Sequence, residues 1–427
     1  MDNPRRIAWD VLNKYAIAEQ YSNIALDTAI KRATLSAADR GLLTILVYGV
    51  IEKQITLDAC ISSLIDRDLD SLEPDIHNLL RLGVYQLAYL ERVPDHAAVN
   101  ETVSLSPKRA KGLVNAVLRS FLRGGKRIPI PSREEFPLRY LSVKYSFCEK
   151  LCERFVAEFG FHRAEELLDA FGKEPPLTLR VNTLRISRDE LLARLLACGI
   201  QAEPTLLAGS GIRVLDKVPI TTLEGFSEGF FLVQDEASQL CTAAVDAKPG
   251  MFVLDVCACP GSKSFGMAMD MENTGTMFAC DLHHNKLSLV KSGAERLGIT
   301  CISCEARDAR HTNDEWIERA DRVLCDVPCS GFGVFAKKPE LRYKDPAKSD
   351  ALPDIQQAIL SSCARYVKPG GRLIYSTCTL LSAENEDNVK RFLDEHEEFI
   401  LLEERTFYPD MDGTDGFFYA VLEKQRV

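Results

Sequence analysis

Apolar residues in the first third of the chain recur with the period of an α-helix. They form two sets, Leu42, Leu43, Leu46, Val47 and Val50, and then Leu79, Leu80, Leu82, Val84 and Leu87. Because residues three and four apart share one face of a helix, this spacing predicts that residues 1–125 are entirely helical. The pattern ends at a glycine pair, and three prolines follow it: Gly124, Gly125, Pro129, Pro131 and Pro137. Such clusters interrupt regular structure and predict a linker near residues 124–140.

The segment from residue 145 to residue 235 mixes two patterns. Residues 177–184 alternate between apolar and polar side chains, which predicts a strand, and residues 229–234 have a similar composition. Ser187 stands three residues before Glu190, the spacing of a helix start with a serine cap. This segment is therefore predicted to be a small α+β part.

From about residue 236 onward, short apolar runs alternate with amphipathic stretches. The runs predict strands at 252–256, 276–280, 301–304, 322–325 and 372–376, and the stretches predict helices such as 285–297 and 354–367. Strands and helices in alternation are typical of a doubly wound α/β fold with a mostly parallel sheet. A last apolar run, at residues 416–422, predicts an antiparallel strand at an edge of that sheet. The chain is thus predicted to have three parts, at residues 1–130, 140–235 and 236–427.

Bulk composition indicates an ordinary soluble protein. The chain has 427 residues, of which 46% are hydrophobic and 27% are charged. Its longest apolar-dominated stretch, Leu42–Ile51, is too short to cross a bilayer, and the N-terminus lacks the apolar core of a secretory signal. Fourteen cysteines without such a signal predict free thiols in the cytoplasm, with no membrane association.

The net charge of −10 hides an uneven distribution. Residues 1–140 carry 19 Lys and Arg against 17 Asp and Glu, and the stretch from Lys108 to Arg127 has seven bases and no acid. Such a local surplus can hold the phosphates of a nucleic acid even on an acidic protein. A solvated helix face is the alternative interpretation of the same residues.

A turn after the first strand of the predicted sheet has the position of a cofactor site. Its residues are Cys257, Ala258, Cys259, Pro260, Gly261, Ser262 and Lys263, and a helix is predicted to follow. Acids follow the second, third and fourth strands at Asp281, Asp308 and Asp326, and strand ends meet at the ligand site of such sheets. The turn has neither the glycine pattern of a dinucleotide fold nor that of a P-loop. S-adenosylmethionine, a nucleoside without phosphates, therefore fits best.

Two cysteines follow later strands of the same sheet. Cys329 comes just after the fourth strand and Cys378 just after the fifth, and both strands are predicted to be central, so both thiols should face one cleft. A thiolate that adds to C6 of cytosine makes C5 nucleophilic toward a sulfonium methyl group, which gives a thiol a role beside this cofactor. Asp326 is then the candidate acid near N3 of the base. Lys263 is the candidate group that lowers a thiol pKa or orients the base.

The other cysteines of this region have simpler interpretations. Buried cysteines usually act as small apolar side chains, and we favour that interpretation for Cys257, Cys259, Cys280 and Cys325. Cys301 and Cys304 have the spacing of a zinc pair, but residues three apart on a strand point to opposite faces. We therefore predict no metal.

Three motifs make the chain resemble a known family. Residues 258–264 are close to the motif Ala-x-Pro-Gly-Gly-Lys-Thr, residues 326–334 to Asp-Ala-Pro-Cys-Ser-Gly-x-Gly-Val, and residues 375–379 to Tyr-Ser-Thr-Cys-Ser. These motifs resemble those of the RsmB/Sun/Fmu family of bacterial 16S ribosomal RNA cytosine-5 methyltransferases, within the Nop2/Sun group. Residues 93–101 and 112–119 in addition resemble NusB-type RNA-binding domains.

The resemblance implies a fold and a set of roles. It implies a helical NusB-like domain at 1–130, a small α+β part like an RNA-recognition (RRM) domain at 140–235, and a Rossmann-like class I methyltransferase domain at 236–427. Cys378 would be the nucleophile on C6, and Cys329 would assist product release. Residues 257–263, with Asp281, Asp308 and Asp326, would hold S-adenosylmethionine or stand close to it. Ser262 replaces a glycine of the family motif, and because serine narrows the allowed turn geometry we expect cofactor affinity to be affected.

The predicted partner is 16S ribosomal RNA with a single-stranded or flipped-out cytosine, because C6 is attacked from above the ring plane. The alternatives are a tRNA cytosine-5 methyltransferase and a non-catalytic RNA-binding assembly or antitermination factor. We expect a monomer. The candidate RNA contacts are the stretch 108–127, Arg180 to Arg185, and Lys337, Lys338, Arg342 and Lys344.

Overall fold

The chain divides into two compact units. The computed structural model describes residues 2–18 and 22–426. One unit contains Met1–Gly172 together with Lys337–Pro346, and the other contains Lys173–Ala336 together with Ala347–Val427. The residue boundaries of the three predicted parts, at 1–130, 140–235 and 236–427, stay a prediction.

Helices build the described part of the first unit. They are α1 (Pro4–Ala18), α2 (Ser22–Arg32), α3 (Ala37–Glu52), α4 (Gln54–Ser62), α5 (Pro74–Tyr89), α6 (Asp95–Leu105), α7 (Lys111–Arg123), α8 (Pro137–Tyr145), α9 (Glu149–Phe159) and α10 (Phe161–Ala170). Ser36 caps α3 by accepting a hydrogen bond from the Asp39 backbone N–H at 3.1 Å. Pro74 begins α5, where its missing N–H has no intrahelical partner to lose. The helical prediction is confirmed within the described residues.

The apolar positions that predicted these helices form the core of the first unit. Leu43, Leu46 and Val47 on α3 are fully buried, and so are Leu79 and Leu80 on α5. At about 25 cal/mol per Å² of apolar surface, each such side chain stabilises the fold by roughly 1.5–3 kcal/mol relative to exposure. These helices each bury an apolar face, which explains why their apolar residues recur every three or four positions and why they form the core.

Residues 337–346 pack within the first unit. Arg342 is 1% exposed, and its guanidinium donates hydrogen bonds to the carbonyl oxygens of Tyr145 at 3.0 Å and Phe171 at 2.6 Å. The prediction that Arg342 contacts RNA is wrong, because its charged group is committed to backbone carbonyls in the interior. Lys337 and Lys338 are exposed.

A four-stranded antiparallel sheet opens the second unit. Its strands are β1 (Leu177–Val181), β2 (Ala202–Pro204), β3 (Gly211–Val214) and β4 (Phe231–Val233), in the order β2-β3-β1-β4, with helix α11 (Arg188–Ala197). The hydroxyl of Ser187 accepts a hydrogen bond from the Glu190 backbone N–H at 3.2 Å, so the predicted cap is confirmed. The α+β character of this part is also confirmed.

The rest of the second unit is a seven-stranded mixed sheet between helices. The strands are β5 (Phe252–Asp255), β6 (Thr276–Asp281), β7 (Ile302–Ala306), β8 (Ala320–Asp326), β9 (Val367–Thr377), β10 (Phe399–Phe407) and β11 (Phe417–Lys424). The helices are α12 (Glu236–Val245), α13 (Ser262–Asp270), α14 (Leu287–Leu297), α15 (Leu352–Ala364), α16 (Glu386–Glu395) and α17 (Pro409–Asp412).

The strand order is β10-β11-β9-β8-β5-β6-β7, with β5, β6, β7, β8 and β9 parallel. Strand β8 lies at the centre and β9 beside it, as predicted, and the doubly wound α/β fold is confirmed. The prediction for the last strand is wrong in one respect. Strand β11 is antiparallel, but it lies between β9 and β10 and is not an edge.

The edge strand next to β11 is β10, and the sequence analysis did not predict it. Most of its central residues, 400–404, are exposed, and the strand carries acids where a regular apolar alternation would be needed. The strand begins with the apolar residues 399–402, of which 400–402 are exposed, and Glu403 and Glu404 follow them. Exposed acids on an edge strand discourage pairing with another chain.

Candidate functional site

Carboxylates gather where the central parallel strands end. Asp255 ends β5, Asp281 ends β6 and Asp326 ends β8, while Asp308 follows two residues after β7. The carboxyl ends of parallel strands meet at one edge of the sheet, where doubly wound folds bind their ligands. The three predicted acids Asp281, Asp308 and Asp326 therefore share one edge, with Asp255 as a fourth member.

Asp308 and Asp281 are the outer members of this set. The guanidinium of Arg310 donates to Asp308 at 2.6 Å, and this hydrogen bond lowers the pKa of Asp308 to about 2. Asp281 is half-buried and accepts a hydrogen bond from the His283 backbone N–H at 2.9 Å. Both groups keep oxygen acceptors at the strand ends.

The turn after β5 is held by backbone hydrogen bonds to its neighbours. The Ala258 N–H donates to the Cys280 carbonyl oxygen at 2.7 Å, which ties the turn to β6. Gly261 has a φ of +110°, and a β-carbon there would lie 2.6 Å from the ring of Phe265. Only glycine accepts this conformation and this close approach without strain.

Ser262 departs from the family motif at a position that does not need glycine. It is the first residue of α13 and is absent from the residues with positive φ, so its side chain causes no backbone strain. The conformational requirement of the turn falls on Gly261. The geometric reason for expecting Ser262 to weaken cofactor binding is therefore absent.

Asp255 is a buried acid with an incomplete set of hydrogen bonds. Its side chain is 1% exposed, and its Oδ2 accepts a hydrogen bond from the Ser264 hydroxyl at 2.5 Å. Burial raises the pKa of Asp255 to about 7 against the opposing effect of that hydrogen bond. Its Oδ1 is buried and has no hydrogen-bond partner within the protein. An acceptor in this state fits a site that receives a donor from a ligand.

Lys263 and Asp326 form an ion pair at the centre of the sheet edge. The Lys263 Nζ lies 2.7 Å from the Asp326 Oδ2, and the hydroxyl of Ser376 donates to the Asp326 Oδ1 at 2.8 Å. Burial disfavours the ammonium, but the charge and hydrogen bond of Asp326, together with the interactions with Cys241 and Cys378, raise the pKa of Lys263. The ammonium also lies 4.9 Å from the ring centre of Phe417. These contacts fix a positive charge and a carboxylate next to each other.

Cys329 and Cys378, the thiol pair, lie in direct contact. Their Sγ atoms are 3.2 Å apart, and the Cys378 backbone N–H donates to the Cys329 Sγ at 3.3 Å. The hydrogen bond with Cys378, together with burial, raises the pKa of Cys329 well above its ordinary value. The two sulfurs are close enough to share one proton in a hydrogen bond, in which either sulfur can be the donor.

Other cysteines near the sheet are less suited to nucleophilic chemistry. Burial raises the pKa of Cys257, Cys280 and Cys325, and burial raises that of Cys259 to about 12. Thiols with a raised pKa are poor nucleophiles at neutral pH. Their apolar packing agrees with the interpretation as small core side chains.

A buried polar network surrounds the backbone of Cys329. Two of its members, Glu384 and Asn385, follow the Cys378 motif in the sequence, but the sequence predicted no role for them. Gln356 on α15 and Glu384 before α16 both bond to this backbone, and both are at most 2% exposed. The Asn385 side-chain oxygen accepts a hydrogen bond from the Thr377 hydroxyl at 2.6 Å, and the Asn385 amide group donates one to the Thr379 carbonyl oxygen at 3.0 Å. Gln356 is a buried polar residue on α15, whereas Glu384 and Asn385 lie between β9 and α16 and belong to no α-helix.

Arg180 is a second basic residue that the structure places in the interior. It is 4% exposed, and its guanidinium lies 3.0 Å from the Asp270 carboxylate. The prediction that Arg180 forms part of an RNA-binding floor is wrong, because the ion pair and burial remove its charge from the surface. Arg185 donates to the Glu228 carbonyl oxygen.

The described residues offer neither a metal site nor a membrane-spanning helix. Within residues 2–18 and 22–426, no group of three or more His, Cys, Asp and Glu side chains is arranged to hold a metal ion. Among the helices that the structure describes, none has the length and apolarity needed to cross a membrane.

Comparison with known proteins gives matches along the chain. A family model described as 16S rRNA methyltransferase RsmB/F matches residues 242–423. A NusB family model matches residues 2–123, and a ferredoxin-like domain model of RsmF/B-like methyltransferases matches residues 148–221. A Bacillus subtilis protein named "Probable ribosomal RNA small subunit methyltransferase B" is 39% identical over 444 residues, which cover 99% of this chain and 98% of that protein. The chain belongs to the RsmB/F family of 16S rRNA methyltransferases.

Two further matches extend over the same length. The "Ribosomal RNA small subunit methyltransferase B" of Photorhabdus laumondii is 32% identical over 437 residues, which cover 99% of each chain. A solved structure, that of a protein designated PH0851, has a TM-score of 0.82 and 28% identity and covers 99% of each chain. The family membership thus rests on the helical part, the small middle part and the methyltransferase part together.

Proposed function

We propose that this protein transfers the methyl group of S-adenosylmethionine to C5 of a cytosine in 16S ribosomal RNA through a covalent bond between Cys378 and C6. The observation that carries this proposal is the contact of the thiol pair, 3.2 Å between sulfurs, on strand ends that also hold the Lys263–Asp326 ion pair. Family membership supports ribosomal RNA as the substrate, since the similar proteins are named as small subunit methyltransferases.

Cys378 acts as the nucleophile. Its sulfur adds to C6, and the electron pair displaced from the C5–C6 double bond makes C5 nucleophilic. The Cys329 sulfur lies 3.2 Å from the Cys378 sulfur, so a proton held on Cys329 would stabilise the thiolate form of Cys378. Lys263 adds a positive charge nearby, since the two groups interact electrostatically.

Asp326 assists the addition at the pyrimidine edge. Held by Lys263 and Ser376, its carboxyl group has a fixed orientation in which to exchange a proton with N3 of the base. Cys329 acts in the second half of the reaction, when the proton on C5 must leave and the bond between Cys378 and C6 must break.

The strand ends hold the cofactor. The turn 257–263 presents backbone hydrogen-bonding groups to the cofactor at the start of α13. Asp281 and Asp308 provide carboxylate oxygens that accept hydrogen bonds from its hydroxyl or amino groups. The unpartnered Asp255 Oδ1 and the close packing at Gly261 fit a nucleoside bound against the turn. When bound, S-adenosylmethionine supplies the electrophilic methyl group that C5 takes.

The RNA must present its cytosine out of the helical stack, because attack on C6 comes from the face of the ring. The bases of the stretch 108–127 are mostly exposed and match the phosphate contacts that RNA binding needs. We also propose that the protein, which has a NusB-like domain, acts on ribosomal RNA as a cytoplasmic monomer. A tRNA substrate and a non-catalytic assembly role are the two alternatives.

The test is methyl transfer with identification of the modified nucleoside. Purified protein, labelled S-adenosylmethionine and unmodified 16S RNA are incubated, and the RNA is digested and analysed by mass spectrometry. We expect 5-methylcytidine with the wild type, loss of product with Cys378→Ala, and normal product with Cys304→Ala, which changes a partly buried thiol on β7.

Three results would contradict the proposal. Methylation at a different base atom would overturn the C5 assignment, and methylation of a tRNA mixture in preference to 16S RNA would favour the tRNA alternative. Absence of any methyl transfer, with normal binding of 16S RNA, would favour the non-catalytic role.

A further inference from the structure

The backbone of Cys329 is held on both sides by two buried side chains. The Gln356 side-chain amide donates to the Pro328 carbonyl oxygen at 3.0 Å, on the residue before Cys329. The Glu384 Oε2 accepts from the Ser330 backbone N–H at 2.9 Å, on the residue after Cys329. These two contacts fix the peptide groups on either side of the thiol.

Gln356 and Glu384, here called the clamp, are also bonded to each other. The same Gln356 amide group donates to the Glu384 Oε2 at 2.9 Å. Gln356 is 0% exposed and Glu384 is 2% exposed, although polar side chains of this kind are mostly found at the surface. Burying them has a cost that only completed hydrogen bonds offset, so their partners are an informative feature.

A second layer orients the clamp. The Asn388 amide donates to the Gln356 Oε1 at 3.2 Å and to the Tyr375 hydroxyl at 3.1 Å. The Tyr375 hydroxyl in turn donates to the Glu384 backbone carbonyl oxygen. Since the Gln356 carbonyl oxygen is occupied by Asn388, its amide group is left to face Pro328 and Glu384.

We propose that Gln356 and Glu384 are positioning residues that hold Cys329 against Cys378 for the step that releases the methylated base. The proposal rests on the proposed function and deepens it, since the clamp bonds to the peptide groups on either side of Cys329, the residue that acts in release. Loosening it should therefore impair release more than attack.

The release step defines what the clamp must hold. Cys329, after losing its thiol proton to solvent, takes the proton from C5 of the methylated ring. The electron pair of that C–H bond forms the C5–C6 double bond, and the pair of the C6–S bond leaves on Cys378 as a thiolate. The step consumes one thiolate and makes one thiolate, and a turnover releases one proton to solvent overall. A displacement of Cys329 by about 1 Å would slow this transfer roughly 100-fold.

The experiment compares two adjacent glutamines. Gln356→Met removes one side of the clamp, and Gln357→Met is its matched control, because Gln357 is also buried on α15 but bonds to Glu395 at 3.4 Å. Each variant is incubated with S-adenosylmethionine and 16S RNA, and protein–RNA adducts are separated on denaturing gels. We expect Gln356→Met to lower kcat on the order of 10- to 100-fold, to leave KM for the cofactor unchanged and to accumulate adduct, while Gln357→Met resembles the wild type.

Variants at Glu384 distinguish positioning from a general loss of structure. Glu384→Gln keeps an oxygen that accepts from Ser330 and Gln356, so it should turn over nearly normally and clear its adduct. Glu384→Met removes that acceptor and should accumulate adduct as Gln356→Met does. Thermal unfolding shows which of the variants Gln356→Met and Glu384→Met is folded. If the adduct of a folded variant clears at the wild-type rate, the proposal is overturned.

Cys329→Ala in the same experiment separates this proposal from the proposed function. If Cys329→Ala accumulates adduct and neither methionine variant does, the clamp proposal fails and the covalent mechanism stands. If Cys329→Ala forms no adduct and 5-methylcytidine is absent with the wild type, the proposed function fails and the clamp proposal fails with it.

Discussion

Asp255 should make the stability of the second unit depend on pH in a characteristic direction. Its pKa is raised from 3.8 to about 7 by burial, and the hydrogen bond from Ser264 only partly offsets that effect. Below a pH of about 4 the carboxyl is neutral in the folded and in the unfolded chain, so it has no effect on stability. Between about pH 4 and pH 7 the unfolded chain loses the proton while the folded chain keeps it, so stability falls as the pH rises.

The size of the effect follows from the pKa difference. At about 1.4 kcal/mol per pKa unit, a difference of about 3 units lowers the free energy of unfolding by about 4 kcal/mol above pH 7. At pH 5 the same group costs about 2 kcal/mol, because only part of the difference is expressed there. Asp255→Asn removes the ionisation but keeps an oxygen that accepts from Ser264. The variant should therefore be more stable than the wild type, and more so at high pH.

Thermal unfolding at pH 5 and at pH 8 measures this prediction. A difference of about 4 kcal/mol corresponds to a shift of the unfolding midpoint on the order of 10 °C for a unit of this size. We expect Asp255→Asn to exceed the wild type by that amount at pH 8 and by about half of it at pH 5. Asp189→Asn is the control, because the Asp189 side chain is 91% exposed and its loss should leave the pH dependence unchanged. An equal gap at both pH values, or a less stable Asp255→Asn at pH 8, would refute the reasoning.

Three further predictions concern the cofactor turn and the ion pair. Lys263→Met leaves the half-buried Asp326 carboxylate without its partner and should lower stability by about 3 kcal/mol, seen as a lower unfolding midpoint, and should slow single-turnover methyl transfer. Gly261→Ala should weaken cofactor binding in calorimetry and cost about 1–3 kcal/mol of stability, while Gly209→Ala, with open space around its β-carbon, should do neither. Ser262→Gly should leave the cofactor dissociation constant within about twofold, since Ser262 has no positive φ to relieve; a gain of tenfold would show that the serine does hinder the site.

Those parts of the fold that follow from local pattern were predictable. The continuous apolar runs of β8 and β9 predicted buried central strands, and such runs are typical of parallel sheets covered on both faces. Strand β10 begins with an apolar run at residues 399–402, but that run is mostly exposed and two acids follow it, so neither the strand nor the inner position of β11 was derived from periodicity. Position within a sheet depends on pairing between strands, and the sequence of one strand does not specify its neighbours.

The errors over basic residues have a related cause. Arg180 and Arg342 were interpreted as surface charges because arginine is mostly exposed, yet both side chains are buried and bonded to groups distant in sequence. Their partners, such as Asp270 for Arg180, become neighbours only when the chain folds.

The candidate site shows the same division. The sequence motifs predicted Cys329 and Cys378 as catalytic thiols, because each cysteine follows directly after a predicted strand. The clamp could not be found in this way, since Gln356 and Glu384 lie 28 residues apart and reach the Cys329 loop from two separate elements. Long-range hydrogen bonds of buried amides leave no local pattern that a sequence could display.

The central claim is that one sulfur bonds to the base while the other helps to break that bond. Its most direct measurement is a mass-spectrometric map of the protein–RNA adduct formed by Cys329→Ala with S-adenosylmethionine and 16S RNA. We predict a denaturation-resistant adduct in which a methylated cytidine is attached to the peptide that contains Cys378, and no adduct in the double variant with Cys378→Ala. Attachment to any other cysteine, or full turnover of Cys329→Ala without adduct, would contradict the account.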